Sequence, residues 1–104
     1  MTIRINATLE FEQEFTTLNL WWNANRADAA NHVENEVKRV IAQIQELPEI
    51  GVPYKRRGLK NVRWLQIRKT PYKLYYRYNQ KQDEIVLMAL WSAMRKHGPP
   101  IKSF

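Results

Sequence analysis

The chain has 104 residues, which suits one small domain, and 44% of them are hydrophobic, enough to form a core. It contains no cysteine, which excludes disulfides and thiolate metal sites and fits a reducing compartment. The N-terminus lacks the apolar run of a signal peptide, and no run approaches the roughly 20 apolar residues that a membrane span needs. We therefore expect one cytoplasmic domain over residues 1–104.

The net charge of +7 is unevenly distributed along the chain. Residues 1–50 hold eight acids and four bases, residues 51–82 hold ten bases and no acid, and residues 83–104 hold two acids and three bases. A positive charge this local favours an anionic partner, such as nucleic acid or an acidic protein. A solvated strand face kept soluble by lysine and arginine would give the same pattern, so both interpretations stay open.

The N-terminal half predicts one strand and two helices. Ile3 and Ile5 alternate with polar residues, as in a strand with one apolar face. Thr8 stands at the N-cap position of a first helix. A second helix is predicted from about 28 to 47, where a proline ends it. The apolar stripes comprise Phe11, Phe15, Leu18 and Trp22 in the first helix, and Val33, Val37, Val40, Ile41, Ile44 and Leu47 in the second.

The C-terminal half predicts three strands. The first covers residues 62–69 and the second 72–78, with a tight turn at Thr70-Pro71 between them. Residues 85–91 are apolar on both faces, so they should form the most central strand. Short connections make an antiparallel meander, and the helical pair covers one face. The predicted fold is α+β, in the order β-α-α-β-β-β.

One face of this sheet carries bases and aromatic rings. Alternation along 72–78 places Lys73, Tyr75 and Arg77 opposite the helices, on a face that we expect to be only partly hidden. Tyr75, Trp64 and Trp91 could stack on nucleic-acid bases or anchor a protein partner. Core packing is the plainer alternative, and it is favoured for Trp91 more than for Tyr75.

The usual catalytic signatures are missing. Three glycines leave no phosphate-binding loop, there is no Gly-x-Ser-x-Gly motif, and the two histidines have no nearby ligand set, so no metal or cofactor is expected. His32 is interpreted as a surface or capping residue. His97, in the basic tail, could act as an acid or base, although such a residue more often has no catalytic role.

Arginines are the stronger candidates for binding an anion. Arg68, Arg77 and Arg95 fall near the ends of predicted adjacent strands, where three planar guanidinium groups could converge on phosphate or carboxylate. Pairing of each with a surface acid is the alternative, which the absence of acids from residues 51–82 makes harder. The candidate anion-binding set is Lys55, Arg56, Arg57, Arg68, Lys73, Arg77 and Arg95.

Four stretches follow one another in an informative order: FEQEFTTLNLWWNANR before a long helix, LPEIGVPY, VRWLQIRKTPYKLYYRY and VLMALWSAMRKHGPP. Their order and spacing resemble the RelE/ParE superfamily of toxins from type II toxin–antitoxin modules, and within it the ParE or plasmid-stabilisation branch. The resemblance covers nearly the whole chain. It implies a helical hairpin packed on a curved, mainly antiparallel sheet.

The resemblance also implies a partner. A small antitoxin, ParD-like or similar, would neutralise the toxin through an acidic segment that folds on binding and complements residues 51–82. A hetero-oligomer with the antitoxin is the expected resting state, because a free toxin would expose apolar surface. The candidate antitoxin contacts are Trp64, Tyr75, Trp91 and Trp21.

The superfamily divides by target. ParE-like members poison DNA gyrase without established nuclease chemistry, whereas RelE-like members cleave mRNA on the ribosome. Arg68 and Arg95 match two arginines of the nucleases, but no tyrosine clearly follows Arg95, and Ser92 stands where many ParE-like sequences have histidine. We therefore expect a gyrase inhibitor. A ribosome-dependent endonuclease using Arg68, Arg95 and His97 is the alternative, and a basic nucleic-acid-binding module is the second alternative.

Overall fold

Two helices cover one face of a five-stranded sheet in a computed structural model that describes residues 3–101. The strands lie in the order β1-β5-β4-β3-β2, with β1 parallel to β5 and the other neighbours antiparallel. The predicted α+β fold is confirmed, with one short edge strand added. The elements are β1 (Arg4–Ala7), α1 (Leu9–Asn25), α2 (His32–Glu46), β2 (Val52–Pro53), β3 (Val62–Gln66), β4 (Tyr72–Asn79) and β5 (Glu84–Ser92).

Helix α1 begins where the sequence predicts. The Thr8 hydroxyl oxygen accepts a hydrogen bond from the Phe11 N–H at 3.1 Å, which satisfies one of the free donors at the start of the helix. The same hydroxyl donates to the Met88 carbonyl at 3.1 Å and so fixes this end of α1 on β5. Phe11 and Leu18 are buried on the predicted stripe.

Helix α2 begins later than predicted, at His32 rather than near residue 28. A 3-10 turn, Ala27–Ala29, precedes it, and Asn31 adopts a left-handed backbone with φ of 66°, which interrupts helical geometry. Val33, Val37, Val40 and Ile44 are buried, as the stripe predicts. Leu47 is 62% exposed, so the predicted stripe is wrong at its end, because the helix ends at Glu46.

The connection between β3 and β4 is longer than the tight turn predicted. β3 ends at Gln66 rather than at residue 69, and Lys69 adopts a left-handed backbone with φ of 62°. Arg68 therefore lies outside the sheet. Its N–H donates to Glu36 of α2 at 3.0 Å, and its carbonyl oxygen lies 2.8 Å from the His32 ring. His32 thus links the helix to this turn instead of facing solvent alone.

The predicted alternation in β4 is confirmed. Leu74 and Tyr76 are fully buried under the helices, and Tyr75 points to the opposite side, with an irregularity between Tyr75 and Tyr76. The prediction that residues 85–91 are most central is wrong by one place. β4 is the middle strand, because the N-terminal strand β1 pairs along the far side of β5.

The face away from the helices, here called the outer face, has a small core of its own. Val62, Tyr75 and Ala89 are buried there. Irregular chain covers them: the loop 54–59 and the tail 97–101. Tyr75 is only 5% exposed, so the outer face is more completely covered at its centre than predicted. In the described part of the chain, neither helix has the length and hydropathy to cross a membrane.

Candidate functional site

The three candidate arginines do not converge. Arg77 lies opposite Val62 and Val86, whereas Tyr72, at the other end of β4, lies opposite Ser92. Five residues of strand separate these positions, roughly 17 Å. Arg77 is therefore far from the strand ends next to Arg68 and Arg95, and burial lowers the pKa of its guanidinium. The predicted three-way convergence is wrong because β3 and β4 run antiparallel.

On the outer face, aromatic residues of the predicted antitoxin-contact set have partners within the chain, one of which is a predicted anion-binding base. The Tyr54 ring packs edge-on against Tyr75 with centroids 5.0 Å apart. The Lys73 ammonium lies 3.9 Å from the centroid of the Trp64 ring, a cation–π contact. Both side chains are half-buried. Because of this contact, Lys73, a predicted anion-binding base, already has an aromatic partner.

The tail 97–101 is held over this face by several contacts. The Arg56 guanidinium donates to the Pro99 carbonyl at 2.8 Å, and the Trp91 indole N–H donates to the His97 carbonyl at 2.8 Å. Gly98 lies so close to Tyr54 that a Cβ there would come within 2.9 Å of the tyrosine Cζ. Lys55 and Arg57, on either side of Arg56, are exposed.

A separate cleft of about 590 Å³ lies between α1, the turn after β3 and the end of β5. Its apolar lining residues come from three elements, and two of them, Leu18 and Leu90, are buried. Trp21, 52% exposed, lies at its side. The apolar residues are Leu18, Trp22, Tyr72 and Leu90, and the cations at its rim are Arg26, Lys69 and Arg95.

One carboxylate, Glu14, lines this cleft. It accepts a hydrogen bond from the Leu90 N–H at 3.0 Å, on the side of β5 where the pairing with β1 has already ended at Leu87. Burial raises the pKa of Glu14, and the Leu90 hydrogen bond and the charge of Arg95 oppose that shift. Glu14 therefore serves first as a structural acceptor for the edge of β5.

The residues of the nuclease alternative are held by three different contacts. The Arg68 Nε lies 3.6 Å from Glu36, whose pKa is lowered chiefly by its hydrogen bond from Arg39. The Arg95 guanidinium stacks 4.0 Å above the Trp91 ring. Exposed His97 contributes its backbone carbonyl to Trp91. No hydrogen bond or ion pair within residues 3–101 joins any two of Arg68, Arg95 and His97.

Several cleft residues were not among the site residues predicted from the sequence, although Trp22 was predicted on the apolar stripe of the first helix. These residues are Glu14, Trp22, Arg26, Lys69 and Tyr72. They come from three separate segments, and no periodic pattern links a helix end to a turn and a strand end. Lys69 offered one signal, because it precedes the Thr-Pro pair that marks a turn. Within the described residues, no group of His, Asp or Glu could hold a metal ion.

Comparison with known proteins decides the family. Residues 5–97 match the family described as the ParE toxin of type II toxin–antitoxin systems, parDE. The chain belongs to the ParE toxin family. The superfamily predicted from the sequence motifs is thereby confirmed, and the protein is a type II toxin of the RelE/ParE group. A search among curated proteins gives no significant match.

Solved structures with the same fold include members of both branches. A chain of the intact Escherichia coli RelBE toxin–antitoxin complex matches this ParE-family toxin with a TM-score of 0.67 and 17% identity, covering 89% of this chain and 99% of that chain. A chain of the chromosomal ParDE system from Pseudomonas aeruginosa gives 0.59 and 14%, covering 88% and 96%. The YoeB/ParE toxin from Agrobacterium tumefaciens gives 0.62 and 15%, covering 86% and 96%. At these identities the similarity establishes the fold alone.

Proposed function

We propose that this ParE-family toxin inhibits DNA gyrase through protein contacts and is neutralised by a cognate antitoxin. The observation that carries the proposal is the covered outer face. Tyr75, at its centre, is 5% exposed beneath Tyr54 and the tail. A flat platform for stacking RNA bases needs accessible rings. Together with the family match over residues 5–97, this favours a toxin that binds a protein.

The arrangement of the nuclease candidates supports the same proposal. General acid–base catalysis needs a side chain positioned within hydrogen-bonding reach of the reacting group. Here Arg68 lies within ion-pair distance of Glu36 of α2. His97 lies in the tail, where its backbone carbonyl accepts a hydrogen bond from Trp91. A residue in such a glycine- and proline-rich tail is a poor mount for a catalytic group.

The antitoxin part of the proposal is supported by the neighbours. The similar chains from E. coli and P. aeruginosa come from the RelBE and ParDE toxin–antitoxin systems. Of the predicted antitoxin contacts, Trp21 is exposed, and Trp64 and Trp91 are half-buried. Tyr75 would meet an antitoxin only after the tail had moved.

One observation favours RNA cleavage as the second candidate function. Arg68, the first arginine of this candidate, has an exposed side chain. Arg95 is also exposed, so its guanidinium could reach a phosphate after leaving Trp91. This candidate requires Arg68 and Arg95 to act on one substrate.

Expression in a bacterium, with and without the adjacent gene for a small protein, provides the first test. Growth arrest by the chain alone, relieved by the neighbour, is the expected result, with filamentation and induction of the DNA-damage response. Unchanged growth would contradict both toxin readings. Transcripts cut on translating ribosomes, but left intact by the Arg68→Ala/Arg95→Ala variant, would favour the nuclease. Tight binding of naked nucleic acid with a steep salt dependence would favour a nucleic-acid-binding module.

A further inference from the structure

We propose that the free chain forms a two-fold symmetric dimer through the edge of the sheet at β2. The surface that carries the proposal is the edge patch, defined as the exposed apolar side chains of Leu47, Ile50 and Val52. The partner is a second copy of this chain, which presents the same surface in reverse order. The inference goes beyond the proposed function and depends neither on the cellular target nor on an antitoxin.

The edge patch exposes three large apolar side chains within one short segment. Leu47 is 62% exposed, Ile50 41% and Val52 46%. Within residues 3–101, seven large hydrophobic side chains are exposed, and three of them belong to the edge patch, so exposed apolar surface is concentrated here. Single exposed apolar side chains are common on soluble proteins, whereas a group of neighbouring ones marks a surface that another molecule covers.

The backbone of this segment is held in place before any partner binds. The Ile50 N–H donates to the Leu47 carbonyl at 2.9 Å and closes a turn. The Arg63 guanidinium donates to the Gly51 carbonyl at 2.9 Å, and the Gly51 N–H donates to the Tyr76 hydroxyl at 3.0 Å. A Cβ at Gly51 would lie 2.6 Å from that hydroxyl, so the close contact requires glycine. A prearranged surface loses less conformational entropy on association.

Opposite charges lie on the two sides of the edge patch. Glu46 and Glu49 come before Val52 in the chain, and Lys55 and Arg57 follow it. All four charged side chains are exposed, and the ion pairs formed within residues 3–101 involve none of them. The surface is therefore acidic at one end, apolar in the middle and basic at the other end.

A two-fold axis makes this order of charges complementary to itself. Glu49 precedes Val52 by three residues, and Lys55 follows it by three. A half-turn about an axis near Val52 brings the acidic end of one copy to the basic end of the other. The apolar side chains of the two copies then meet near the axis, and opposite charges surround them on both sides.

Other occupants fit this surface less well. Glu46 and Glu49 would repel the phosphates of a nucleic acid, and they would equally repel an acidic peptide. An added β-strand is disfavoured, because Pro53, one of the two residues of β2, has no N–H to donate to it. A second copy supplies the apolar side chains and both signs of charge at the required places.

Sedimentation equilibrium of the purified full chain tests this inference. A surface of this modest size predicts a dimer that dissociates in the micromolar range, so the mean mass should rise from monomer towards dimer between about 1 and about 500 µM. Leu47→Asp places a charge in the edge patch and should weaken dimerisation at least about tenfold. Leu20→Asp is the matched control: Leu20, on α1, is 66% exposed, and its replacement should alter dimerisation no more than about twofold.

Charge reversal distinguishes the two-fold dimer from non-specific association. Glu49→Lys and Lys55→Glu should each weaken dimerisation about tenfold, because each places like charges across the axis. The double variant Glu49→Lys/Lys55→Glu restores opposite charges there and should dimerise within about threefold of the unaltered chain. Both side chains are exposed, so the variants should keep the fold, and circular dichroism verifies this.

Three results would overturn the inference. A chain that stays monomeric at every concentration is one, and it would leave the edge patch to a different protein. An effect of Leu47→Asp no larger than that of Leu20→Asp is another. The third is a double variant Glu49→Lys/Lys55→Glu that dimerises as weakly as the two single variants.

Discussion

The two faces of the sheet are covered in different ways. Two amphipathic helices cover one face, and the side chains they bury, including Val33, Ile44, Leu74 and Tyr76, are fully excluded from solvent. A loop and a tail without regular structure cover the other face, over a small cluster centred on Tyr75. The helical side is a continuous core, whereas the outer face depends on a few specific contacts. The helical side should therefore contribute most of the free energy of unfolding, whereas the outer face should rearrange more easily.

This difference bears on function. Arg56, Lys73 and Arg95 are engaged through the Pro99 carbonyl, the Trp64 ring and the Trp91 ring, respectively. Bases counted in the sequence as an open positive face thus partly serve to hold the outer face closed. Other exposed bases lie elsewhere: Lys55 and Arg57 are in the loop, and Arg26 and Lys69 are at the rim of the cleft.

The largest expected effect is on the helical side. Leu74→Ala removes a fully buried side chain and leaves a cavity, so we expect the free energy of unfolding to fall by about 3 kcal/mol. Leu59→Ala, in the loop over the outer face, removes a half-buried leucine and should cost about 1 kcal/mol. Urea unfolding measures both. Equal losses would contradict the proposed division between a main core and a minor one.

A hydroxyl within the main core should have the next largest effect. The Tyr76 hydroxyl donates to the Pro48 carbonyl at 2.7 Å and accepts from the Gly51 N–H at 3.0 Å. Tyr76→Phe leaves both groups without that partner, and we expect a loss of about 2 kcal/mol in urea unfolding. Tyr78→Phe is the control, since no hydrogen bond of its hydroxyl is formed within the described residues, and a similar loss there would refute the explanation.

Gly98→Ala tests the attachment of the tail. The added methyl group would collide with Tyr54, so the tail should shift, at a cost of about 1–2 kcal/mol. Acrylamide should then quench tryptophan fluorescence more strongly, because Trp91 loses its contact with His97. Pro100→Ala, at an exposed position next to the buried Pro99, should leave quenching unchanged. Unchanged quenching in Gly98→Ala would mean that the tail does not shield Trp91 from solvent.

The smallest effects concern two carboxylates with opposite pKa shifts. The pKa of Glu36 is lowered below its ordinary 4.5, chiefly by Arg39, so its stabilising contribution is present above pH 4.5 and is lost as pH falls through the lowered pKa. Glu36→Gln should therefore cost about 1 kcal/mol at pH 7 and progressively less in acid. Chemical unfolding at several pH values measures this difference.

Glu14 should behave in the opposite sense. Burial raises its pKa, so its contribution is greatest below pH 4.5 and is lost as pH rises through the raised value. Glu14→Gln keeps an oxygen that can accept from Leu90 and should cost nothing at pH 7. A large loss in Glu14→Gln at pH 7 would show that its charge, rather than its acceptor oxygen, supports β5.

The helical side could be predicted from the sequence because its signals are local. Steps of three and four residues identified Phe11 and Val37, and the Thr8 cap followed from residue type. The outer face could not be predicted, because the contacts of Tyr54 and Arg56 with the tail join irregular segments more than 40 residues apart in sequence. The cleft was missed for the same reason, since Arg26, Lys69 and Arg95 are brought together only by the tertiary fold.

Supercoiling of relaxed plasmid by purified gyrase, in the presence of the purified chain, tests the proposed function most directly. The account predicts that the chain stops supercoiling and that the adjacent small protein restores it. The Arg68→Ala/Arg95→Ala variant should still inhibit gyrase, because this inhibition does not depend on a nuclease site. Normal supercoiling at concentrations of the chain that cause ribosome-bound transcripts to be cut would contradict it.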